Sequence, residues 1–120
     1  PENMAFAALP QLTWSEKLYV DDLVEKNGSF YDRLTGELFS GVVKGTQIGE
    51  LKRGKKHGPW KSYCGKQRLQ YLEHFKFGNR EGSWQSYLEN GHLSTKTNFK
   101  NDKLHGNCTS YYANGKLKLK

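Results

Sequence analysis

The chain has 120 residues, 35% of them apolar and 13% aromatic, with 13 glycines. That suits one domain of short strands and tight turns, with rings supplying most of the burial. The net charge of +7 divides unevenly: residues 1–40 hold seven acids against three bases, and residues 41–120 hold five against sixteen. An acidic leader before a basic body speaks about partners rather than about fold. No apolar run approaches the ~18–20 residues that span a bilayer. The cluster Met4 to Leu9 is shorter than the ~7–15-residue core of a secretory signal. Pro1 is not an initiator residue, so cytoplasmic, periplasmic and membrane-peripheral locations all stay open.

Residues 1–19 read as an arm and lead-in. Residues 1–13 show no period, and Phe6 and Leu9 would gain by burial in a partner. Residues 14–26 admit two readings. Trp14, Leu18 and Tyr19, Leu23 are i,i+4 pairs behind Ser15, as in a short capped helix, but the segment could equally be extended. Asn27-Gly28 predicts a two-residue hairpin turn joining Leu23–Lys26 to Ser29–Asp32. Thr35-Gly36 predicts the next turn, into Leu38–Val43. Residues 20–57 then form a divergent first repeat, with extra residues around Lys44–Gly49. A divergent terminal unit closes the face of a stack.

From Gly58 the sequence repeats. Gly58-Pro59-Trp60-Lys61-Ser62-Tyr63 returns as Gly82-Ser83-Trp84-Gln85-Ser86-Tyr87 and as Gly106-Asn107-Cys108-Thr109-Ser110-Tyr111, a step of 24 residues. Leu51, Phe75 and Phe99 keep the same step, as do Leu69, Leu93 and Leu117. A period in this range marks stacked units, here 58–81, 82–105 and a partial 106–120. Each unit reads as two strands around a turn, clearest at Asn90-Gly91 and Asn114-Gly115. In the second strand Leu69, Tyr71, Glu73 and Phe75 alternate onto one face. The fold class is therefore all-β: an elongated antiparallel meander of stacked hairpins. Four units at two strands each give a rod of ~40 Å at ~4.8 Å per strand. The columns Trp60/Trp84 and Tyr63/Tyr87/Tyr111 are expected to pack inward. Cys64 and Cys108 occupy different repeat positions and read as separate small buried residues.

Gly-x-Trp-x-x-Tyr, Asn-Gly-x-Leu and Lys-Leu-His-Gly together resemble the MORN repeat, in the variant common in bacterial proteins. The lead-ins at Asp22–Tyr31 and Phe39–Val43 resemble what precedes such repeats. Gly65-Lys66-Gln67 departs from the pattern in place of Asn-Gly, and Cys108 departs in place of the third Trp. The resemblance covers roughly residues 20–120. It implies the stacked-hairpin fold and an interaction role, with phospholipid contact or toxin neutralisation in some members.

Chemistry has little foothold in these residues. Gly54-Lys55-Lys56-His57-Gly58 lacks the spacing of a phosphate loop. His57 and His105 share a repeat position about 20 Å apart by strand spacing, too far for a common metal. No serine or cysteine stands in a nucleophile context. The expectation is a non-enzyme without cofactor, metal or small-molecule substrate. The constellation with promise is basic. Lys52, Lys76 and Lys100 keep the 24-residue step, with Lys96, Arg80, Lys103 and Lys55 near them. Charges ~10 Å apart make a stripe comparable to a Debye length. Lys116, Lys118 and Lys120 alternate along the last strand, where they discourage edge pairing or meet a partner. The function expected is a protein-interaction scaffold, an accessory subunit of a larger assembly, binding an acidic partner through the stripe. Peripheral binding to an anionic membrane is the alternative. Nucleic acid is disfavoured because the aromatics are committed to packing.

Overall fold

Tight turns at a regular step build the architecture. In the computed structural model, which describes residues 17–65 and 68–119, Arg53-Gly54, Phe77-Gly78 and Asn101-Asp102 all have positive φ at both positions. That is the geometry of a two-residue hairpin turn whose twist matches the strands. Asn27-Gly28 is a fourth turn of this kind. The segment around Phe77-Gly78 is thus a tight turn. Asn90-Gly91 instead closes a longer connection: Leu88 N–H donates to the His92 carbonyl and Gly91 N–H to the Leu88 carbonyl.

The strands are β1 (Lys17–Tyr19), β2 (Leu23–Lys26), β3 (Ser29–Asp32), β4 (Gly41–Lys44), β5 (Gln47–Lys52), β6 (Lys55–Cys64) and β7 (Arg68–Lys76). There follow β8 (Asn79–Arg80), β9 (Gly82–Tyr87), β10 (Leu93–Lys100), β11 (Lys103–Leu104), β12 (Thr109–Tyr111) and β13 (Leu117–Leu119). A 3-10 turn at Val20–Asp22 separates β1 from β2, so the lead-in from Lys17 takes the extended option. Residues 1–16, including the arm, lie outside the described residues.

β4 to β13 form an antiparallel meander, with β8 folding back on β7 and β11 on β10. β1 joins the far end beside β4 in parallel, pairing Lys17 with Val42 and Tyr19 with Lys44. β2 and β3 pair with each other as a hairpin, and Tyr31 of β3 makes an isolated antiparallel bridge to Leu38. A β-bulge falls between Ser62 and Tyr63, between Ser86 and Tyr87, and between Ser110 and Tyr111. The Ser-Tyr dipeptide therefore marks a structural irregularity that recurs with the repeat. Principal extents are 64 × 31 × 21 Å and the radius of gyration is 17.8 Å, against ~14 Å for a compact chain of this length. The molecule is elongated, and longer than four units of two strands each would make it: residues 20–57 hold four strands, β2 to β5, and β1 precedes them.

The core lies at the N-terminal end. Leu23, Phe39, Val43, Leu51 and Trp60 are buried, with Leu18, Val20, Phe30 and Phe75 packed against them. The β2–β3 hairpin covers this end. Phe30 N–H donates to the Gly54 carbonyl, Gly54 N–H to Phe39, and Phe39 N–H to Phe30, at 2.8, 2.8 and 3.1 Å. Gly54 must be glycine: its φ is positive, and a Cβ there would strike Leu38 and the Phe30 carbonyl. Gly49 is required for another reason. The Trp60 indole lies directly on it, so a Cβ on Gly49 would overlap the ring. The indole N–H donates to the Glu50 carbonyl at 3.1 Å.

The aromatic columns are less uniform than the repeat implies. Trp60 is 2% exposed, but Trp84 is only half-buried, with its ring 5.6 Å from that of Tyr71. The β2–β3 hairpin packs, through Leu23 and Phe30, on the cluster that holds Trp60, and Trp84 lies outside that cluster. Tyr63 shares a depression with Ile48, beyond the bulge. Cys64 and Cys108 are both exposed, which corrects their expected burial: Cys64 closes a strand at the rim, and Cys108 stands where the sheet face is bare. Trp60→Ala is therefore expected to destabilise by ~3–5 kcal/mol, and Trp84→Ala by clearly less. Urea denaturation of both variants checks this, and equal losses would contradict the one-ended core.

Candidate interaction surface

Strand pairing sorts the side chains onto two faces, because directly opposed residues point the same way. One face carries Trp60, Glu73, Trp84 and Thr97 in a row, since Trp60 pairs with Glu73 and Trp84 with Thr97. Beside them run Leu51, Phe75 and Phe99. The other face carries the alternate residues: Ile48 opposite Lys61, Lys61 opposite Leu72, Gln85 opposite Lys96.

Successive turns are joined through their amides. Gly78 N–H donates to the Lys56 carbonyl at 2.7 Å and Asp102 N–H to the Arg80 carbonyl at 2.9 Å. The residue before each of these, also left-handed, has its N–H capped by a side chain from earlier in the chain. Ser40 Oγ accepts from Arg53 at 2.8 Å, His57 Nδ1 from Phe77 at 3.2 Å, and Glu81 Oε1 from Asn101 at 2.9 Å. His57 also stacks on the Phe77 ring, with centroids 4.5 Å apart. This explains why His and Glu alternate at one repeat position: it supplies a hydrogen-bond acceptor to the next turn.

Cations on the aromatic face are held by rings. Lys56 Nζ lies 4.9 Å from the Trp60 ring centroid, 5.1 Å from Phe75 and 5.6 Å from Phe30. One repeat later the Arg80 guanidinium lies 5.3 Å from Phe99, and its Nε pairs with Glu73 Oε2 at 3.4 Å. Both arrangements favour the charged form. Burial nevertheless pushes Lys56 below its ordinary value of 10.5, while Glu73 and Glu25 raise it and Arg80 lowers it further.

The opposite face holds the lysines. Lys52, Lys76 and Lys100 are exposed, and each is the last strand residue before a tight turn. Lys52 pairs with Lys55 and Lys100 with Lys103, so these also lie on this face. Lys96 lies there in mid-strand. Lys17, Lys44, Lys61 and Lys118 join them by alternation, and Glu50 is the acid among the described strand residues of this face. Arg80 does not join them: it pairs with Phe75 on the aromatic face. Lys118 Nζ lies 5.7 Å from the Tyr112 ring centroid. Lys116 sits in the last turn, its N–H donating to Asn114 Oδ1 at 3.0 Å. Lys120 lies outside the described residues. The sequence reasoning missed Lys17, Lys44 and Lys61. The signal for Lys61 was alternation: it lies an even number of residues along the same strand from Lys55. It also missed the pairing of Lys56 and Arg80 with rings, although 56/80 and 75/99 both keep the 24-residue step.

Glu81→Ala removes one turn cap and is expected to cost about 1 kcal/mol of stability; an unchanged urea midpoint would contradict the cap. Lys56 gives a pH signature. The unfolded chain binds its proton more tightly, so between the lowered folded value and 10.5 this group makes folding more favourable as pH rises. The unfolding free energy of the wild type relative to Lys56→Met should climb on the alkaline side and stay flat near neutrality. A flat difference up to about pH 11 would count against the buried ammonium.

Among the described residues no helix is long and apolar enough to cross a membrane, and no group of acidic, His or Cys side chains is arranged to hold a metal ion. Comparison with curated proteins and with solved structures gave no match. Comparison with family models did: the MORN repeat variant matches residues 80–101 and 104–120. Repeats of this kind are generally protein- or membrane-interaction modules, and these two segments of the chain are similar to them.

Proposed function

We propose that the chain is a non-catalytic interaction scaffold, an accessory subunit that binds an acidic protein through its lysine face. The observation behind this reading is the sorting of charge. Lysines from β1 to β13 share one face with Glu50, while Glu73, the half-buried Lys56 and the paired Arg80 lie on the other. Unpaired lysines across a sheet attract anions at long range and fix little geometry at contact. That suits a docking surface better than a catalytic site. Trp60 and Trp84 point to the opposite face, which leaves the lysine face without their rings for stacking bases.

A membrane reading has one feature of its own. Val42 and Ile48 are exposed at 40% and 41% on the lysine face, so apolar and cationic groups meet there. Each lysine near an anionic bilayer contributes ~1 kcal/mol.

Reversing Lys52, Lys61, Lys76, Lys96 and Lys100 to Glu should abolish retention on immobilised polyglutamate at moderate salt, with thermal unfolding still cooperative. Retention equal to that of the wild type would overturn the lysine face as the contact surface. Sedimentation with phosphatidylserine vesicles decides between the readings. Pelleting of the wild type without polyglutamate retention selects the bilayer.

A further inference from the structure

The lysine face is not uniform. Its densest part is the row beside the tight turns. Lys52 stands opposite Lys55, and Lys100 opposite Lys103; in the middle unit Lys76 stands opposite Asn79. Like charges directly opposed destabilise a sheet, yet two of the three units carry such a pair. The nearby carboxylates do not relieve it. Glu81 Oε1 accepts the Asn101 N–H at 2.9 Å and Asp102 Oδ1 accepts the Arg80 N–H at 3.2 Å, so both serve the backbone. Among the described residues none of these five lysines has an ion pair. All five stand on one long edge of the molecule, and successive units are two strands apart, ~10 Å along the rod.

We infer that this edge docks an acidic polypeptide segment running along the rod, across the strands, with a carboxylate on every third residue. The inference rests on the lysine face being the contact surface and narrows it to one row. In an extended segment of polyproline II type three residues make one turn at ~3.1 Å each, so every third side chain recurs on the same side about 9 Å on. Carboxylates so spaced reach the Lys52, Lys76 and Lys100 positions in turn, and the first and last of them also lie one strand spacing, ~5 Å, from Lys55 and Lys103. Bound carboxylates would offset the repulsion within each lysine pair. A flat bilayer meets a twisted edge at few points, so an edge row fits a flexible segment better than a membrane.

The test uses two fluorescent 15-residue peptides with five glutamates each and otherwise Gly and Ser. One places Glu at every third residue and the other places all five in a block. Fluorescence anisotropy at moderate salt is expected to show the spaced peptide bound about tenfold more tightly. Lys52→Glu, Lys76→Glu, Lys100→Glu combined should remove that binding, whereas Lys61→Glu with Lys96→Glu should leave most of it. Equal affinity for the two peptides, or equal loss in both variants, overturns the edge row while leaving the lysine face as the contact surface. Unchanged binding in both variants overturns the face as well. Binding to phosphatidylserine vesicles with neither peptide bound assigns the edge to lipid and overturns the inference. Cooperative melting of each variant keeps a folding failure from being read as lost binding.

Discussion

The structure depends on each tight turn being bonded to the part of the chain before it. Gly54, Gly78 and Asp102 give their amides to Phe39, Lys56 and Arg80, and the residue ahead of each gives its own to Ser40, His57 or Glu81. Left-handed turn residues have N–H groups that their own strands cannot satisfy, and that of Gly54, which is buried, would be costly to leave unpaired. Satisfying them from the preceding unit fixes how far one hairpin sits from the next. The spacing of the exposed lysines is a by-product of that hydrogen-bonding arrangement.

The two faces show the same residue type treated in opposite ways. Lys56 follows Lys55 in the sequence, yet Lys56 is drawn among three rings and Lys55 is paired with another lysine. The period of two along a strand is enough to separate them. On the aromatic face the cation replaces an apolar contact: at position 104, the next in the series after 56 and 80, the residue is Leu, 69% exposed beyond the reach of the hairpin. On the lysine face, among the described residues, Lys44 and Lys118 lie over the Tyr19 and Tyr112 rings, and the other charges are left to solvent or to a partner.

Much of the architecture was legible because the period is strict. The 24-residue step, Asn27-Gly28 and the alternation of Leu69 to Phe75 led to the all-β meander of hairpins. Two features were harder to see. Phe77-Gly78 and Asn101-Asp102 form the tight turns, but Phe is uncommon at positive φ and Asn-Asp lacks the glycine that usually marks such a turn; the amide bonds to the preceding unit help hold them there. The fall in burial from Trp60 to Trp84 was also hidden, because identical repeats look alike in sequence while only the first lies under the β2–β3 hairpin. The site was legible in part. Lys52, Lys76, Lys100, Lys96 and Lys103 do share a face, whereas Arg80 was near them in sequence and across the sheet in space. Proximity along a chain says little about side when a turn intervenes.

Strand direction has a mechanical consequence. The strands cross the rod, so their ladder bonds run along its length. Force applied between the two ends of the meander peels one strand from its neighbour at a time instead of shearing a whole ladder at once. Such a body keeps its length under compression or thermal jostling, yet yields stepwise to a steady pull.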